Sequence, residues 1–250
     1  MEKLDTYLNL CTQVYDLSKP KPPKDEYEFY KSYVEQASGA ILEPMCGTGR
    51  FLLPLLQEGF QVDGFDASQH MLDSLHKKAE VLKLKPNVWQ GYAQDTHDSK
   101  SYSLIFIPGG SFGLIIENDD IKATLKAFYE CLANDGVVVF EVETKHSVPE
   151  TGVWRGSKWK RSDGKTIVLS ICCNSMDDNI YSAIGKYELI EGNHIIKTEV
   201  EEYNIKIYDS TELLKVLQEV GFKDIKAVKP FDRKSPPTDD DKSIIYECRK

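Results

Sequence analysis

The chain reads as an α/β fold: a mostly parallel, twisted sheet flanked by helices, with an antiparallel β-sheet inserted late in the sequence. Three observations predict it. Short apolar runs alternate with helical periodicity from Ala40 to Glu143, the pattern of βαβ units joined by right-handed crossovers. Val137-Val138-Val139-Phe140 is continuously apolar, as a strand buried on both faces must be. From Trp154 to Tyr208 the helical period gives way to short β-rich runs, separated by Asp163-Gly164, Asp177-Asp178 and Glu191-Gly192-Asn193.

Each element follows from its own signals. An amphipathic helix is expected from Glu2 to Leu17, broken by Lys19-Pro20-Lys21-Pro22-Pro23, and a second from Asp25 to Ala37, ended by Ser38-Gly39. Ala40-Ile41-Leu42 is a first strand feeding the turn Cys46-Gly47-Thr48-Gly49, and Phe51 to Glu58 is a helix stopped by Gly59. A strand from Phe60 to Phe65, a helix from Gln69 to Leu84 and a strand from Asn87 to Gly91 follow. Ser103 to Ile107 is a buried strand closed by Pro108-Gly109-Gly110. Ile121 to Leu132 is helical, and Asn134-Asp135-Gly136 should turn into the Val137 strand. After three or four inserted strands, Thr211 to Val220 is a helix with Ser210 as N-cap and Gly221 past its end. Phe222 to Val228 and Ser243 to Cys248 complete the parent sheet around a solvated linker, Lys234 to Lys242. The chain thus divides into a helical cap (1–39), a core (40–150), an inserted β-sheet (151–208) and a closing helix with strands (209–250).

Composition narrows the functions available. The chain of 250 residues is 41% hydrophobic and 28% charged, which is globular, and its formal net charge is −9. That balance argues against a duplex nucleic-acid binder, which neutralises phosphates with a basic face. No run approaches the ~18 apolar residues of a membrane span, and MEKLDTYLNL lacks an apolar signal region. The six cysteines are scattered without a C-x-x-C pair, so they read as reduced thiols of a cytoplasmic protein, with no metal site.

The strongest local signal is Ile41-Leu42-Glu43-Pro44-Met45-Cys46-Gly47-Thr48-Gly49-Arg50-Phe51. A strand, a glycine turn and a helix start let backbone N–H groups approach a ligand closely. Leu52 stands where the third glycine of the dinucleotide fingerprint belongs, and the Gly-Lys-Ser/Thr of a P-loop is missing, which disfavours pyrophosphate. Asp66 ends the next strand, where a carboxylate can accept both hydroxyls of a ribose; its alternative is helix N-capping, for which Ser68 serves equally.

Together, Glu43-Pro44-Met45-Cys46-Gly47-Thr48-Gly49 and Gly64-Phe65-Asp66-Ala67-Ser68-Gln69-His70-Met71-Leu72 resemble the class I S-adenosylmethionine-dependent methyltransferases. The resemblance implies a Rossmann-like methyltransferase fold. It also implies S-adenosyl-L-methionine as cofactor, and in-line methyl transfer to the nitrogen or oxygen of a small-molecule acceptor. By position, Gly47-Thr48-Gly49 would pass the methionine moiety with Glu43 near it, Asp66 would bind the ribose, and Ala67 and Met71 would border the adenine. Ala93, Gln94 and Asp95 belong to the corresponding adenine-edge loop, in which Tyr92 stands where relatives often carry an acid. Pro108 would lie beside the donor sulfonium. Val14-Tyr15-Asp16-Leu17, Lys24-Asp25-Glu26-Tyr27 and the inserted sheet are similar to the aminosugar N-methyltransferases, which implies that Tyr15 and Tyr27 reach the site.

Methyl displacement needs orientation and water exclusion, with a base only where the nucleophile arrives protonated. His146, after the Val137 strand, is the histidine nearest the ligand edge and, with Tyr15, a catalytic candidate. Ser111 and Phe112 at the same edge, Glu143 and Trp154 are substrate candidates. Glu141 and Glu143 share a strand face, turned toward a cationic substrate or paired with Lys145 or Arg155. Trp154 to Arg161 reads as a lid over an anionic ligand or as an edge strand blunted by lysine and arginine; the sheet it begins is a roof or a homodimer interface. A macromolecular methyltransferase and a non-catalytic cofactor-binding protein are the rival functions. The first lacks the Asn/Asp-Pro-Pro-Tyr/Phe signature of base amino-group methylation, and the second is opposed by the intact Glu43, Gly47, Gly49 and Asp66.

Overall fold

The structure is a computed structural model that describes residues 4–96, 100–208 and 210–250, with Ser210 described by its backbone alone. His97 and the capping role expected of the Ser210 side chain therefore lie outside the described residues.

The parent sheet has seven strands: β1 (Ala40–Pro44), β2 (Val62–Asp66), β3 (Asn87–Gln90), β4 (Tyr102–Ile107), β5 (Leu132–Glu143), β10 (Asp224–Val228) and β11 (Ser243–Arg249). Their order is β10-β11-β5-β4-β1-β2-β3. The first five strands pair in parallel, and β11 runs antiparallel to β5 and β10. The chain steps outward from β1 to β3 and returns to β4 on the other side of β1. Strand order therefore reverses between β1 and β4, and a crevice opens at their carboxyl ends.

Alternating side chains divide between two cores. Ile41, Leu104, Phe106, Val137, Val139 and Ile245 pack under α2 (Lys24–Val34), α3 (Leu52–Gln57) and α4 (Gln69–Val81). Leu42, Ile105, Ile107, Val138, Phe140 and Tyr246 pack under α5 (Asn118–Cys131) and α6 (Ser210–Val220). Each such side chain contributes about 1.5–3 kcal/mol when fully buried, and both faces of β4 and β5 are covered, which explains their unbroken apolar text.

The elements expected from sequence are present, with informative shifts. α1 spans Asn9–Ser18, starting well inside the expected Glu2. α4 ends at Val81 because Lys83 turns left-handed (φ 57°) and the last carbonyls are taken by Lys83 N–H and Leu84 N–H. α5 begins at Asn118, three residues before Ile121, with Asp119 and Asp120 in its first turn, where the helix dipole favours acids. β5 is continuous from Leu132, but at the expected turn its ladder with β4 slips: Tyr102 pairs with Leu132 and Leu104 with Val137, so Asn134-Asp135-Gly136 falls in an irregularity of the strand. A Cβ on Gly136 would lie 2.5 Å from Leu132 Cδ2 and 2.9 Å from the Tyr102 carbonyl oxygen, a close approach that glycine permits.

The insertion is a four-stranded antiparallel sheet in the order β6 (Trp154–Lys160), β7 (Thr166–Asp177), β8 (Ile180–Glu191), β9 (His194–Lys206). Asp178 (φ 42°) and Asn179 (φ 65°) form the tight β7–β8 turn, the pair of left-handed residues that matches strand twist. The chain rejoins the parent sheet where it left: Tyr208 N–H donates to the Glu143 carbonyl at 3.1 Å.

α1 straps this sheet to the crevice. Leu10, Cys11 and Val14 pack on Ile167, Tyr187, Leu189 and Tyr203. The helix has no side-chain cap of its own. Instead, Glu201 accepts from Tyr7 N–H (2.7 Å) and Leu8 N–H (3.0 Å), and Glu199 accepts from Leu10 N–H (2.6 Å), so acids of β9 meet the positive end of α1. At the other end Asp16 accepts from Thr48 Oγ1 and Lys78 Nζ, both at 2.7 Å, and from Ser74 Oγ at 2.5 Å.

Candidate functional site

The glycine turn owes its shape to three left-handed residues: Met45 (φ 56°), Gly47 (φ 54°) and Gly49 (φ 77°). A methionine in this region is uncommon, and such backbone persists where the surroundings over-determine it. Here Cys46 N–H donates to the Phe65 carbonyl at 2.9 Å and Gly47 N–H to Asp66 Oδ2 at 2.8 Å, tying the turn to β2. The two glycines do different work. A Cβ on Gly47 would project into open space, with nothing within 4 Å. A Cβ on Gly49 would meet Leu53 Cγ at 2.9 Å and Leu75 Cγ at 3.0 Å.

Asp66 is shared between two turns. Its Oδ2 serves Gly47 and its Oδ1 accepts from Ser68 N–H at 2.8 Å, while Ser68 itself caps α4 by accepting from Met71 N–H at 3.3 Å. Burial pushes the Asp66 carboxyl up to about 6 against the pull of those two N–H donors. Glu43, at the end of β1, is 2% exposed, and its Oε2 has no hydrogen-bond partner. Burial holds this carboxyl well above the usual range, opposed by Arg50 and reinforced by Asp66.

Across the crevice, at the ends of β4 and β5, lies a second group of acids. Glu141 accepts from Gly109 N–H (3.0 Å) and Ser243 Oγ (2.5 Å). Glu143 accepts from the Tyr181 hydroxyl (3.0 Å) and Ser147 Oγ (2.8 Å). Glu26 of α2 is 6% exposed, with Oε1 3.7 Å from Arg50 Nη2. The Arg50 guanidinium lies over the rings of Phe51 (5.0 Å) and Tyr15 (5.7 Å). Burial pushes Glu26 up to about 7, with Glu141 raising it further and Arg50 lowering it.

That shift fixes a pH dependence of stability. Unfolded, the Glu26 carboxyl ionises near its ordinary 4.5; folded, near 7. The stability gained by keeping its proton is complete below about pH 4.5 and lost as the pH rises through about 7. Glu26→Gln is expected to stabilise the ligand-free protein by about 1–3 kcal/mol at pH ~8 and by almost nothing at pH ~4. Thermal unfolding of both proteins in the two buffers checks this; an equal effect in both would remove the buried charge as its cause.

The structure brings together Tyr15, Glu43, Gly47 and Asp66 from the expected set, and it turns others elsewhere. Tyr27 faces α3, where its hydroxyl donates to Glu58 at 2.9 Å and its ring stacks on Phe51. The inward residue of that turn is Glu26, one position earlier. Thr48 is 1% exposed and spends its hydroxyl on Asp16, holding α1. Phe112 is fully buried against Phe140 and Tyr208, a core residue in place of the expected substrate contact. Ser111 Oγ donates to the Pro108 carbonyl within its own turn. His146 is exposed on the turn after β5, so the buried titratable groups of this edge are carboxyls and not the expected histidine. Trp154 is 57% exposed on an edge strand, whereas Trp159 packs beneath α1. Met71 and Ala93 are buried, Pro108 lines the end of β4, and Ala67 accepts from Gln90 Nε2 at 2.9 Å. Gln94 is half-buried and Asp95 exposed on the loop after β3.

Sequence reasoning passed over Glu26, Arg50 and Asp16. A signal for Glu26 was present: it recurs with Phe29, Tyr30, Tyr33 and Val34 at helical spacing, so an acid sits on the apolar stripe of α2.

A groove of about 730 Å³ adjoins the glycine turn, between α3, α4 and the α1–α2 connection, with Gly49, Arg50, Leu53 and Pro54 among its lining and Lys21, Lys24 and Lys77 around it. Among the described residues no cluster of His, Cys, Asp and Glu is arranged to hold a metal ion, and no helix is long and apolar enough to cross a membrane.

The chain is similar to known methyltransferases. Residues 41–136 match the methyltransferase domain family. Over 139 residues the chain is 28% identical to a putative methyltransferase of Geobacillus sp. strain WCH70, covering 54% of this chain and 56% of that protein. It is 30% identical to the glycine/sarcosine/dimethylglycine N-methyltransferase of Actinopolyspora halophila, over 45% of this chain and 20% of that one. The chain thus spans only part of the curated relatives it matches, from 20% to 63% of their length. Two solved structures share the fold over nearly the whole chain. One is an S-adenosylmethionine-dependent methyltransferase from Clostridium acetobutylicum (TM-score 0.78, 19% identity, covering 95% of this chain and 96% of that one). The other is a sugar N-methyltransferase from Streptoalloteichus sp. (TM-score 0.77, 14% identity, covering 100% and 97%).

Proposed function

We propose that this chain, whose residues 41–136 match the methyltransferase domain family and whose fold is shared with S-adenosylmethionine-dependent methyltransferases, is a class I enzyme that transfers a methyl group from that cofactor to a nitrogen of a small-molecule acceptor. The observation that carries the reading is Gly47: its missing Cβ leaves open space where three left-handed residues turn the backbone toward the crevice. The residues present fit the cofactor. Glu43 keeps a buried, unpartnered oxygen at the methionine end, suited to an ammonium group, and Asp66 is held by two N–H donors at the ribose end. When bound there, the cofactor supplies an electrophilic methyl group on a sulfonium.

In this reading Tyr15 and Arg50 close the crevice beside the methionine end. α1 and the inserted sheet keep water from the reacting atoms, so that the chain contributes orientation and desolvation. Nitrogen is favoured over oxygen by the surplus of carboxyls at the acceptor edge (Glu26, Glu141 and Glu143 against Arg50 and Lys19) and by the N-methyltransferases among the relatives.

Asp66→Ala tests the donor side. Loss of a charge-assisted pair of contacts is expected to weaken S-adenosylmethionine binding by roughly 1.5–3 kcal/mol. Isothermal titration measures this, with circular dichroism to verify the fold, since Gly47 N–H and Ser68 N–H also lose their acceptor. A folded variant that binds as tightly as the parent protein would overturn the ribose role.

A further inference from the structure

We propose that Glu26 is the catalytic residue that takes the proton from an incoming amine, a role that rests on the methyl-transfer reading above and extends it. The argument begins with what each acid of the edge is already doing. Glu141 and Glu143 each hold two hydrogen-bond donors, and Asp66 holds two backbone N–H groups. Among the described residues, the carboxyls that keep a buried oxygen without a hydrogen bond are Glu26 and Glu43. Glu43 stands at the end of β1 beside the glycine turn, on the donor side. Glu26 faces the end of β4, where a Cβ built on Gly109 would lie 3.9 Å from its Oε1.

The pairing of Glu26 is loose on both sides. Its Oε1 is 3.7 Å from Arg50 Nη2, beyond hydrogen-bond length, and Arg50 Nε also lacks a hydrogen-bond partner. Burying such a pair without filling its hydrogen bonds is costly, and a third polar group between or beside them relieves the cost. An acceptor amine answers that need.

The chemistry requires the same group. A simple amine is an ammonium at neutral pH, near the lysine value of about 10.4, and an ammonium nitrogen has no lone pair to attack with. In the step assigned to Glu26, one N–H bond of the ammonium breaks, an O–H bond forms on the carboxylate, and the electron pair stays on nitrogen. Two buried opposite charges are thereby cancelled. The groups that face Glu26 keep it poised for this: Arg50 on the glycine turn and Lys19 on the α1–α2 connection favour the carboxylate, while Glu141 of β5 and Asp25 of its own helix favour the acid.

The test measures amine binding by calorimetry, using glycine and sarcosine, both ammonium ions at pH ~8, as probes on the complex with S-adenosylhomocysteine, in buffers of different ionisation enthalpy. At pH ~6 Glu26 is largely protonated and must ionise to receive an ammonium, so the parent protein should release up to one proton per amine bound. At pH ~8 it should release almost none. Glu26→Gln should release no proton at either pH and bind the amine at least about tenfold more weakly at pH ~8. Glu26→Asp, which keeps a carboxyl, should retain release at the lower pH. Proton release unchanged in Glu26→Gln would overturn the proposal. So would weakened S-adenosylhomocysteine binding with amine binding intact, which would make Glu26 a counter-ion of Arg50 alone. Failure of both amines to bind the parent complex would also overturn it. Failure of S-adenosylhomocysteine itself to bind would strike the methyl-transfer reading instead.

Discussion

Gly49→Val is expected to cost about 2–5 kcal/mol of stability, much of what holds a typical domain folded, while Gly47→Ala leaves a folded protein that no longer binds S-adenosylmethionine. Both residues are left-handed, at φ 77° and 54°, so any side chain at either bears about 1–2 kcal/mol of backbone strain. They differ in what surrounds them. The Cβ of residue 49 would press on Leu53 and Leu75 at 2.9–3.0 Å, and both leucines belong to the core under α3 and α4. Overpacking a filled core adds roughly 1–3 kcal/mol, and the two methyl groups of valine have nowhere to go. The Cβ of residue 47 meets no protein atom within 4 Å, so its effect falls on whatever approaches the turn. Denaturant unfolding together with cofactor titration separates the two. A Gly47→Ala variant that binds normally, or a Gly49→Val variant as stable as the parent, would break the division of labour between them.

Much of this was legible in the sequence. βαβ alternation follows from covering both faces of a parallel sheet, so the unbroken apolar run Val137-Val138-Val139-Phe140 by itself marks a central strand. The glycine turn and Asp66 were visible because their conformations demand particular residue types. What escaped was direction and partnership. Tyr27 and Glu26 are neighbours, and a shift of one residue on a helix rotates a side chain by ~100°, enough to exchange the crevice for the surface. Phe112 and His146 were placed near the ligand edge by their distance from β4 and β5, but a short turn buries the first and exposes the second. At Gly136 the Asn-Asp-Gly text marks the slip of the β4–β5 ladder, but not the crowding of its Cβ position by the Tyr102 carbonyl, which tertiary packing creates. Asp16 and Glu201 show the same limit, since their partners are far away in the chain and no local pattern encodes them.

Glu201→Ala is expected to release α1 from the inserted sheet, lowering the protection of the helix by about 3–5 kcal/mol while the parent sheet stays folded. Glu201 is 1% exposed and accepts three hydrogen bonds: from Tyr7 N–H, from Leu8 N–H and from the Tyr203 hydroxyl at 2.6 Å. Alanine takes the acceptor from the Tyr7 and Leu8 N–H groups, while the Tyr203 hydroxyl keeps Tyr187 and Cys11 as partners, and it removes the negative charge from the positive end of a helix that has no cap of its own. The effect is local because α1 packs in a separate cluster with Ile167, Tyr187 and Tyr203, outside the two cores of the parent sheet. Cys11 supplies a direct readout. It lies on the buried face of α1, where burial first and then the Glu201 charge push its thiol up to about 12, so it should resist alkylation in the parent protein. In Glu201→Ala, opening of the helix exposes the thiol and removes that charge, and both changes speed its reaction. Hydrogen exchange over residues 4–18 and the alkylation rate of Cys11 should rise together. Glu201→Gln, which keeps one acceptor oxygen, should give a smaller effect. Cofactor affinity should fall with them, because Tyr15 rides on the same helix and Asp16 joins its far end to Thr48 of the glycine turn. Unchanged exchange in α1 would show that Asp16 and the apolar contacts hold the helix without help from β9; faster exchange with full cofactor affinity would separate the strap from the donor site.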